Sequence, residues 1–327
     1  MLPTVLGIES TAHTFGVSII RKKEVLSNIK DTFTTETGGL IPVQLAEHHV
    51  DVCDKIILKA LRFAKISIND IDVIAYSKAP GMGHALRFGA MAARSLSLIH
   101  NIPLVGVHHS IAHLEIGRLL TEAKDPVFLD AAGSNTNILA YHNGRYRIMG
   151  ETLDTGVGNF LDKFGRELGF GFPGGPKVYK TALKGKNLLE LPYVVKGMDV
   201  SFGGILTHLK TKIKKGYSKE DLCFSAQETV FAMLIEVSER ALAHTDKKEL
   251  LLGGGVACNR RLQEMAKQMC ESRGARCYVP TPQYLTDNAA MIAWLGSIMY
   301  MKGHILKAKD AYIDPYLRPD QVEVDWY

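Results

Sequence analysis

One pattern constrains the fold of this chain more than any other: a three-strand opening that occurs twice. In the first copy an apolar run, residues 5–9, ends in an acid. The small polar turn Ser10-Thr11-Ala12-His13-Thr14 follows, then an apolar run at 15–20, the polar Arg21-Lys22-Lys23, and a third run at 25–33. Short apolar runs bounded by turn residues predict strands. A displacement of 121 positions lays Glu9 on Asp130, the first turn on Ala131-Ala132-Gly133-Ser134-Asn135, and residues 17–20 on 138–141. Identity between the copies is poor, so the echo is one of structure. It predicts two related α/β halves facing each other across a cleft.

What lies between and beyond the copies supports that reading. Val43, Ala46, Val50, Cys53, Ile57, Ala60, Leu61 and Ala64 recur at three and four residues, the spacing of one helix face. A strand at 72–77 precedes a helix around 87–100, and a strand at 103–107 precedes a helix beginning near Ser110. Strands alternating with helices argue for βαβ units and a largely parallel sheet. A glycine-rich strand-to-helix turn, Gly253-Gly254-Gly255-Val256-Ala257-Cys258-Asn259, opens another helix near Asn259, a good capping residue. The expected division is 1–125 and 126–327, the second half carrying a helical insertion around 155–225.

Composition narrows the class. A length of 327 residues suits two domains. With 46% apolar and 22% charged residues, disordered and fibrous classes are excluded. No apolar run approaches the ~18 residues of a membrane span, and no basic-then-apolar leader opens the chain, so neither a membrane nor secretion is expected. Five cysteines without a C-x-x-C point to reduced thiols and a cytoplasmic location. A net charge of +5 permits an anionic partner without requiring one. Lys210, Lys212, Lys214 and Lys215, with Lys184 and Lys186 upstream, form the densest positive stretch: a solvated face or a nucleic-acid contact.

Two motifs suggest chemistry. His109-Ser110-Ile111-Ala112-His113 sets two imidazoles four residues apart, on one helix face and within reach of one ion. Polar residues at a helix start are the plainer alternative. A zincin would need Glu directly after the first histidine, where Ser110 stands. Asp287, in Thr286-Asp287-Asn288-Ala289-Ala290, offers a third, hard ligand. The turns after Glu9, after Asp130 and at 253–255 are rich in small residues. Such turns let backbone N–H groups approach phosphate, although each alone reads more readily as ordinary turn chemistry. Spaced along two α/β halves, they look like the two phosphate segments and the adenosine segment of the actin-like ATPase superfamily.

Six ordered motifs carry a closer resemblance: Leu6-Gly7-Ile8-Glu9-Ser10-Thr11-Ala12-His13-Thr14-Phe15-Gly16; His108-His109-Ser110-Ile111-Ala112-His113-Leu114-Glu115; Gly150-Glu151-Thr152-Leu153-Asp154-Thr155-Gly156-Val157-Gly158-Asn159; Pro173-Gly174-Gly175-Pro176-Lys177; the Gly253 turn; and Thr286-Asp287-Asn288-Ala289-Ala290-Met291-Ile292-Ala293. From residue 4 to about 324 the chain resembles the universal tRNA threonylcarbamoyltransferase family. This is the catalytic subunit of the archaeal and eukaryotic KEOPS complex, called TsaD in bacteria and O-sialoglycoprotein endopeptidase in older usage. His13-Thr14 stands where bacterial members have an Asp-Glu pair, so the likeness is to the archaeal or eukaryotic branch.

The resemblance implies an actin-like (ASKHA) α/β fold, two RNase H-like halves around a nucleotide cleft. It implies transfer of a threonylcarbamoyl group from threonylcarbamoyl-AMP to the N6 amine of the adenosine beside the anticodon in tRNAs reading ANN codons. Glu9, His109, His113 and Asp287 are the implied catalytic set. An iron- or zinc-type ion, divalent or ferric, would sit on His109, His113 and Asp287, with a fourth contact from a family tyrosine that is Asp130 here. On its shorter arm, Asp130 is expected to reach the ion through water. Adenine-nucleotide contacts (threonylcarbamoyl-AMP, AMP or ATP) map to Asp130, Ala131, Ala132, Gly133, Ser134, Asp162, Gly175, Tyr179 and Asn259, with Gly254 and Gly255 in the adenosine turn. Tyr179 replaces a family acid credited with ribose contact; a phenol still hydrogen-bonds a hydroxyl, though not as an ionised acceptor. Implied partners are tRNA, a small protein kinase, a dimerising subunit and a kinase activator, with no membrane. Because the chain ends soon after Leu317-Arg318-Pro319-Asp320, no fused kinase is expected. Competing readings are an ASKHA-type small-molecule kinase, which leaves the two histidines unexplained, a metalloendopeptidase, which lacks a placed glutamate, and a non-catalytic nucleic-acid binder.

Overall fold

A computed structural model describes residues 2–36 and 40–327. The first half contains β1 (Thr4–Glu9), β2 (Thr14–Arg21), β3 (Glu24–Thr32), α1 (Pro42–Ala64), β4 (Val73–Ala79), α2 (Gly83–His100), β5 (Leu104–His108) and α3 (His109–Leu120). The second contains β6 (Val127–Ala131), β7 (Thr136–His142), β8 (Arg145–Glu151), α4 (Val157–Glu167), α5 (Gly175–Ala182), β9 (Val195–Lys196), β10 (Asp199–Val200), α6 (Gly203–Lys214), α7 (Lys219–Thr245), β11 (Glu249–Gly253), α8 (Arg260–Ser272), β12 (Arg276–Tyr278), α9 (Pro282–Leu285) and α10 (Ala289–Met301).

The two openings are topological copies. One sheet runs β3-β2-β1-β4-β5, the other β8-β7-β6-β11-β12. In each, an antiparallel meander is followed by two parallel strands, the first of them beside the strand that opened the half. Glu9 and Asp130 therefore occupy equivalent strand ends, as the sequence echo predicts. The predicted elements appear within a few residues of their expected bounds. α2 starts earlier than expected, at Gly83, and its first turn already buries Ala85 and Leu86.

Both faces of the first sheet are covered at β1, β2, β4 and β5, which are nearly continuous buried runs, whereas the edge strand β3 is mostly polar. Period-two alternation divides them. Leu6, Ile8, Ile74 and Tyr76 face one core beneath α1 and α2, whereas Val5, Val73 and Ala75 face another that contains α3 and α10. α10 is apolar all round and buried along Ala289-Ala290-Met291-Ile292-Ala293. It lies so close to β1 that a Cβ on Gly7 would stand 2.5 Å from the Ala293 amide nitrogen. The glycine is what lets that helix, and the turn leading into it, settle on the strand ending in Glu9. Among the described residues no helix is long and apolar enough to cross a membrane, and all five cysteines are free thiols.

The C-terminal segment ties the halves together. Leu306 pairs with Leu104 at the edge of the first sheet, and Val324 N donates to Gly144 O (2.7 Å) at the second. Buried Glu115 on α3 accepts from Tyr146 Oη (2.5 Å), Trp326 Nε1 (2.9 Å) and Arg118 (3.1 Å). α3, the helix with the two histidines, is thus anchored to both halves.

Candidate metal centre and nucleotide loops

β5 delivers its chain directly into α3, so the first helical residue is His109 and the next turn presents His113 on the same face. Asp287 arrives from the turn ahead of α10. Ligand atoms of His109, His113 and Asp287 all lie within 4.8 Å of one another. Asp287 Oδ1 is 3.4 Å from His109 Nε2 and 3.5 Å from His113 Nε2. Ligand atoms ~2.0–2.1 Å from a tetrahedral ion stand about 3.3 Å apart, close to these separations.

Glu9 stands behind this group. Its Oε1 accepts from Thr11 N (2.7 Å) and from the Thr11 hydroxyl, while Oε2 faces His109 Nδ1 at 3.1 Å. A carboxylate on Nδ1 fixes the imidazole so that Nε2 points at Asp287. Burial by itself would lower the His109 pKa, but Glu9 and Asp287 override it and hold the imidazole well above its ordinary value. Burial would likewise raise Asp287, yet the imidazoles of His109 and His113 beside its carboxylate hold it well below the usual carboxylate range. The site thus favours a positive charge between nitrogen and oxygen, a place that a metal ion can take in exchange for a proton.

Orphaned polar atoms argue for such an occupant. His113 is 2% exposed and neither ring nitrogen has a hydrogen-bond partner; Asp130 is fully buried and neither carboxylate oxygen has one. Burial pushes the Asp130 carboxyl up, against the pull of His113 and His109. An unsatisfied buried polar group costs ~1–3 kcal/mol, more when charged. Asp130 stands outside the tight three-residue group, at the end of β6 and in register with Gly253 of β11.

The glycine-rich loops collect at these same strand ends. Gly254 follows β11 with φ +82° and ψ 158° and sits against the backbone of Ala131 and Ala132. Gly255 is open, with nothing within 4 Å of its Cβ position. The Ala132-Gly133-Ser134 loop rests on the start of α4: Ala132 O accepts from Gly158 N (3.1 Å) and Gly133 O from Asn159 N (2.9 Å). Asp162 Oδ1 accepts from Gly174 N (2.7 Å) and Gly175 N (3.1 Å), pinning the loop ahead of α5; Tyr179 is half-buried further along that helix. Asn259 caps α8 as expected, its Oδ1 accepting from Arg261 N (2.9 Å). Its Nδ2 donates to Gln227 Oε1 (2.8 Å) on α7.

Sequence reasoning missed Thr11 as the partner of Glu9, Gln227 as the partner of Asn259, and Lys30, which reaches the Asp287 turn from β3. Only Thr11 had a local signal, lying two residues from the acid it bonds. Thr35 and Phe172 form an isolated bridge between the two halves, and His13 meets the Phe172 ring edge-on at 5.2 Å.

The sequence profile described as TsaD, tRNA N6-adenosine threonylcarbamoyltransferase, matches residues 24–294. The chain belongs to the TsaD family. A TsaD relative from Thermococcus kodakarensis, called tRNA N6-adenosine threonylcarbamoyltransferase, is 52% identical over 98% of this chain and 99% of its own length. A Methanosarcina mazei relative, called a probable bifunctional tRNA threonylcarbamoyladenosine biosynthesis protein, is 48% identical over 98% of this chain and 59% of its own. Among solved structures, HypF from T. kodakarensis superposes with TM-score 0.66 at 14% identity, over 94% of this chain and 48% of its own. Component A of the Acidaminococcus fermentans (R)-2-hydroxyglutaryl-CoA dehydratase gives 0.59 at 16%, over 90% and 98%. At such identities these likenesses speak to fold, and the TsaD chain has the actin-like ATPase fold that the resemblance implies.

Proposed function

We propose that this TsaD-family protein transfers the threonylcarbamoyl group of threonylcarbamoyl-AMP to the N6 amine of the adenosine beside the anticodon in tRNAs reading ANN codons. Family membership over nearly the full chain supports the reaction. The single structural observation that carries it is the convergence of His109, His113 and Asp287 beside the strand-end glycine turns.

His109, His113 and Asp287 would hold an iron- or zinc-type ion, with Asp130 as a fourth, more distant group. When bound, the ion supplies Lewis-acid polarisation of the carbamoyl or phosphoryl oxygen. The chain's own groups do the rest. Glu9 holds His109 in the tautomer whose Nε2 faces the site. Gly254 brings main chain close to the adenosine, and the Ala131–Ser134 loop offers backbone N–H groups to the leaving phosphate. Asp162 keeps Gly174 and Gly175 in place along the nucleotide, and Tyr179 presents a phenol where the ribose would lie. Together these hold the acyl phosphate in one pose for an attacking amine, so that transfer gains from orientation.

The M. mazei relative, which joins two functions in one chain, favours a TsaD subunit that works with other proteins. The partners proposed are a small protein kinase, a dimerising subunit and a kinase activator. Transfer of labelled threonylcarbamoyl from threonylcarbamoyl-AMP to unmodified tRNA, with those partners present, tests the reading. Labelled tRNA is expected, and its absence with an intact metal and nucleotide site would refute the assignment.

The tRNA would meet the positive face of α6. Lys210, Lys214 and Lys215 are exposed, whereas Lys212 lies over the Tyr217 ring, its Nζ 4.9 Å from the centroid. Lys210 also pairs with Glu167 at 2.9 Å. Reversing Lys210, Lys214 and Lys215 to glutamate should weaken tRNA binding and flatten its salt dependence. Each lost phosphate contact removes ~0.7–0.9 from the log–log slope. An unchanged slope would put the tRNA on another face.

A further inference from the structure

Lys30 has no part in the reaction as read above, yet it touches the metal group's most exposed joint. It extends from β3 and donates to Thr286 Oγ1 (2.7 Å) and to the Asp287 backbone oxygen (2.8 Å). Burial pulls its ammonium pKa down, and the neighbouring Asp287 opposes that fall. His109 and His113 share one rigid helix, so their relative placement is set locally. Asp287 comes from a different turn, and its distance to them depends on how the start of α10 is held.

That turn is held from two sides. From within, the Asn288 side chain caps α10, accepting from Met291 N (3.2 Å) and donating to Thr286 O (2.8 Å). From outside, Lys30 ties Thr286 and Asp287 to the first sheet, 256 and 257 residues away along the chain. We propose that Lys30 is a positioning residue that fixes the Asp287 carboxylate at ligand distance from His109 and His113. The proposal rests on the metal reading above. It also makes a prediction opposite in sign to a simple charge effect. Removing a nearby cation would by itself tighten binding of another cation, whereas removing a positioning contact loosens it.

Cobalt(II) titration followed by visible absorption separates these effects, because affinity and band shape both report ligand geometry. Lys30→Met is expected to weaken Co(II) binding about tenfold or more, within the ~10–100-fold range of groups that orient metal ligands, and to alter the band. Lys30→Arg should recover most of the affinity. Thr286→Val, which keeps shape but removes one acceptor, should give a smaller loss in the same direction. His113→Ala serves as the control. Unchanged or tighter Co(II) binding in folded Lys30→Met, with the ion lost from His113→Ala, overturns the role of Lys30 and leaves the metal reading standing. Full binding by His113→Ala overturns both. Should Lys30→Met not fold, unchanged affinity in Thr286→Val overturns the proposal.

Discussion

Replacing His113 by alanine is expected to abolish binding of an iron- or zinc-type ion by the purified protein and to cut threonylcarbamoyl transfer by more than about 100-fold. That exceeds the ~10–100-fold typical of groups that merely orient ligands, because His113 would itself hold the ion. The side chain is buried with both ring nitrogens unpartnered, which is costly for a histidine serving only to fill space. Its Nε2 stands 3.5 Å from Asp287 Oδ1. His109→Ala and Asp287→Ala should behave alike. Asp130→Ala should be milder, since that carboxylate lies outside the tight group, and Glu9→Gln should retain more metal than His113→Ala because it keeps an acceptor oxygen for His109 Nδ1. Elemental analysis of folded variants settles the matter. A full equivalent of metal in His113→Ala would return the histidines to a structural role.

Gly254→Val should be nearly as damaging, by a different route. A Cβ there would lie 2.5 Å from the carbonyl carbon and oxygen of Ala131 and 2.8 Å from Ala132 N. All three are backbone atoms of the loop after β6 and cannot rotate aside. With φ +82° and ψ 158°, the residue occupies a region essentially reserved for glycine, which costs other residues ~1–3 kcal/mol before any clash. The adenosine turn and the adjoining loop would be forced apart. AMP affinity should fall at least tenfold, about 1.4 kcal/mol, together with a clear drop in unfolding midpoint. Gly204→Ala, on α6 and outside the turn, is the internal control, as its Cβ meets nothing within 4 Å, and should bind AMP normally. Calorimetry with AMP on both variants decides. Undiminished affinity in folded Gly254→Val would remove this turn from the nucleotide site.

Much of the architecture was legible in the chain because its signals are local. A strand announces itself within six to nine residues, and a turn of small residues after an acid is visible wherever it recurs. That is why the doubled opening predicted two sheets of one topology, with Glu9 and Asp130 at matching ends. The i, i+4 spacing of His109 and His113 likewise needed only helix geometry. Asp287 was nameable from its motif as a third candidate ligand, but the spacing of the histidines alone left a capping role open.

Tertiary structure decided everything that depends on segments meeting. Glu9 bonds His109 across 100 residues, Lys30 reaches Thr286 across 256, and Gln227 meets Asn259 across 32. Nothing in a lysine on a strand marks it as holding a distant turn, since its short-range pattern equals that of a solvated residue. The same holds for α10. Its apolar surface declared that it would be buried, but only the packing of Ala293 on Gly7 shows that it lies against the first sheet. By itself the sequence determined which residues are apolar, which turns are small and which imidazoles share a face. The close approach of backbones, made possible by glycines, determined which of those residues became one site.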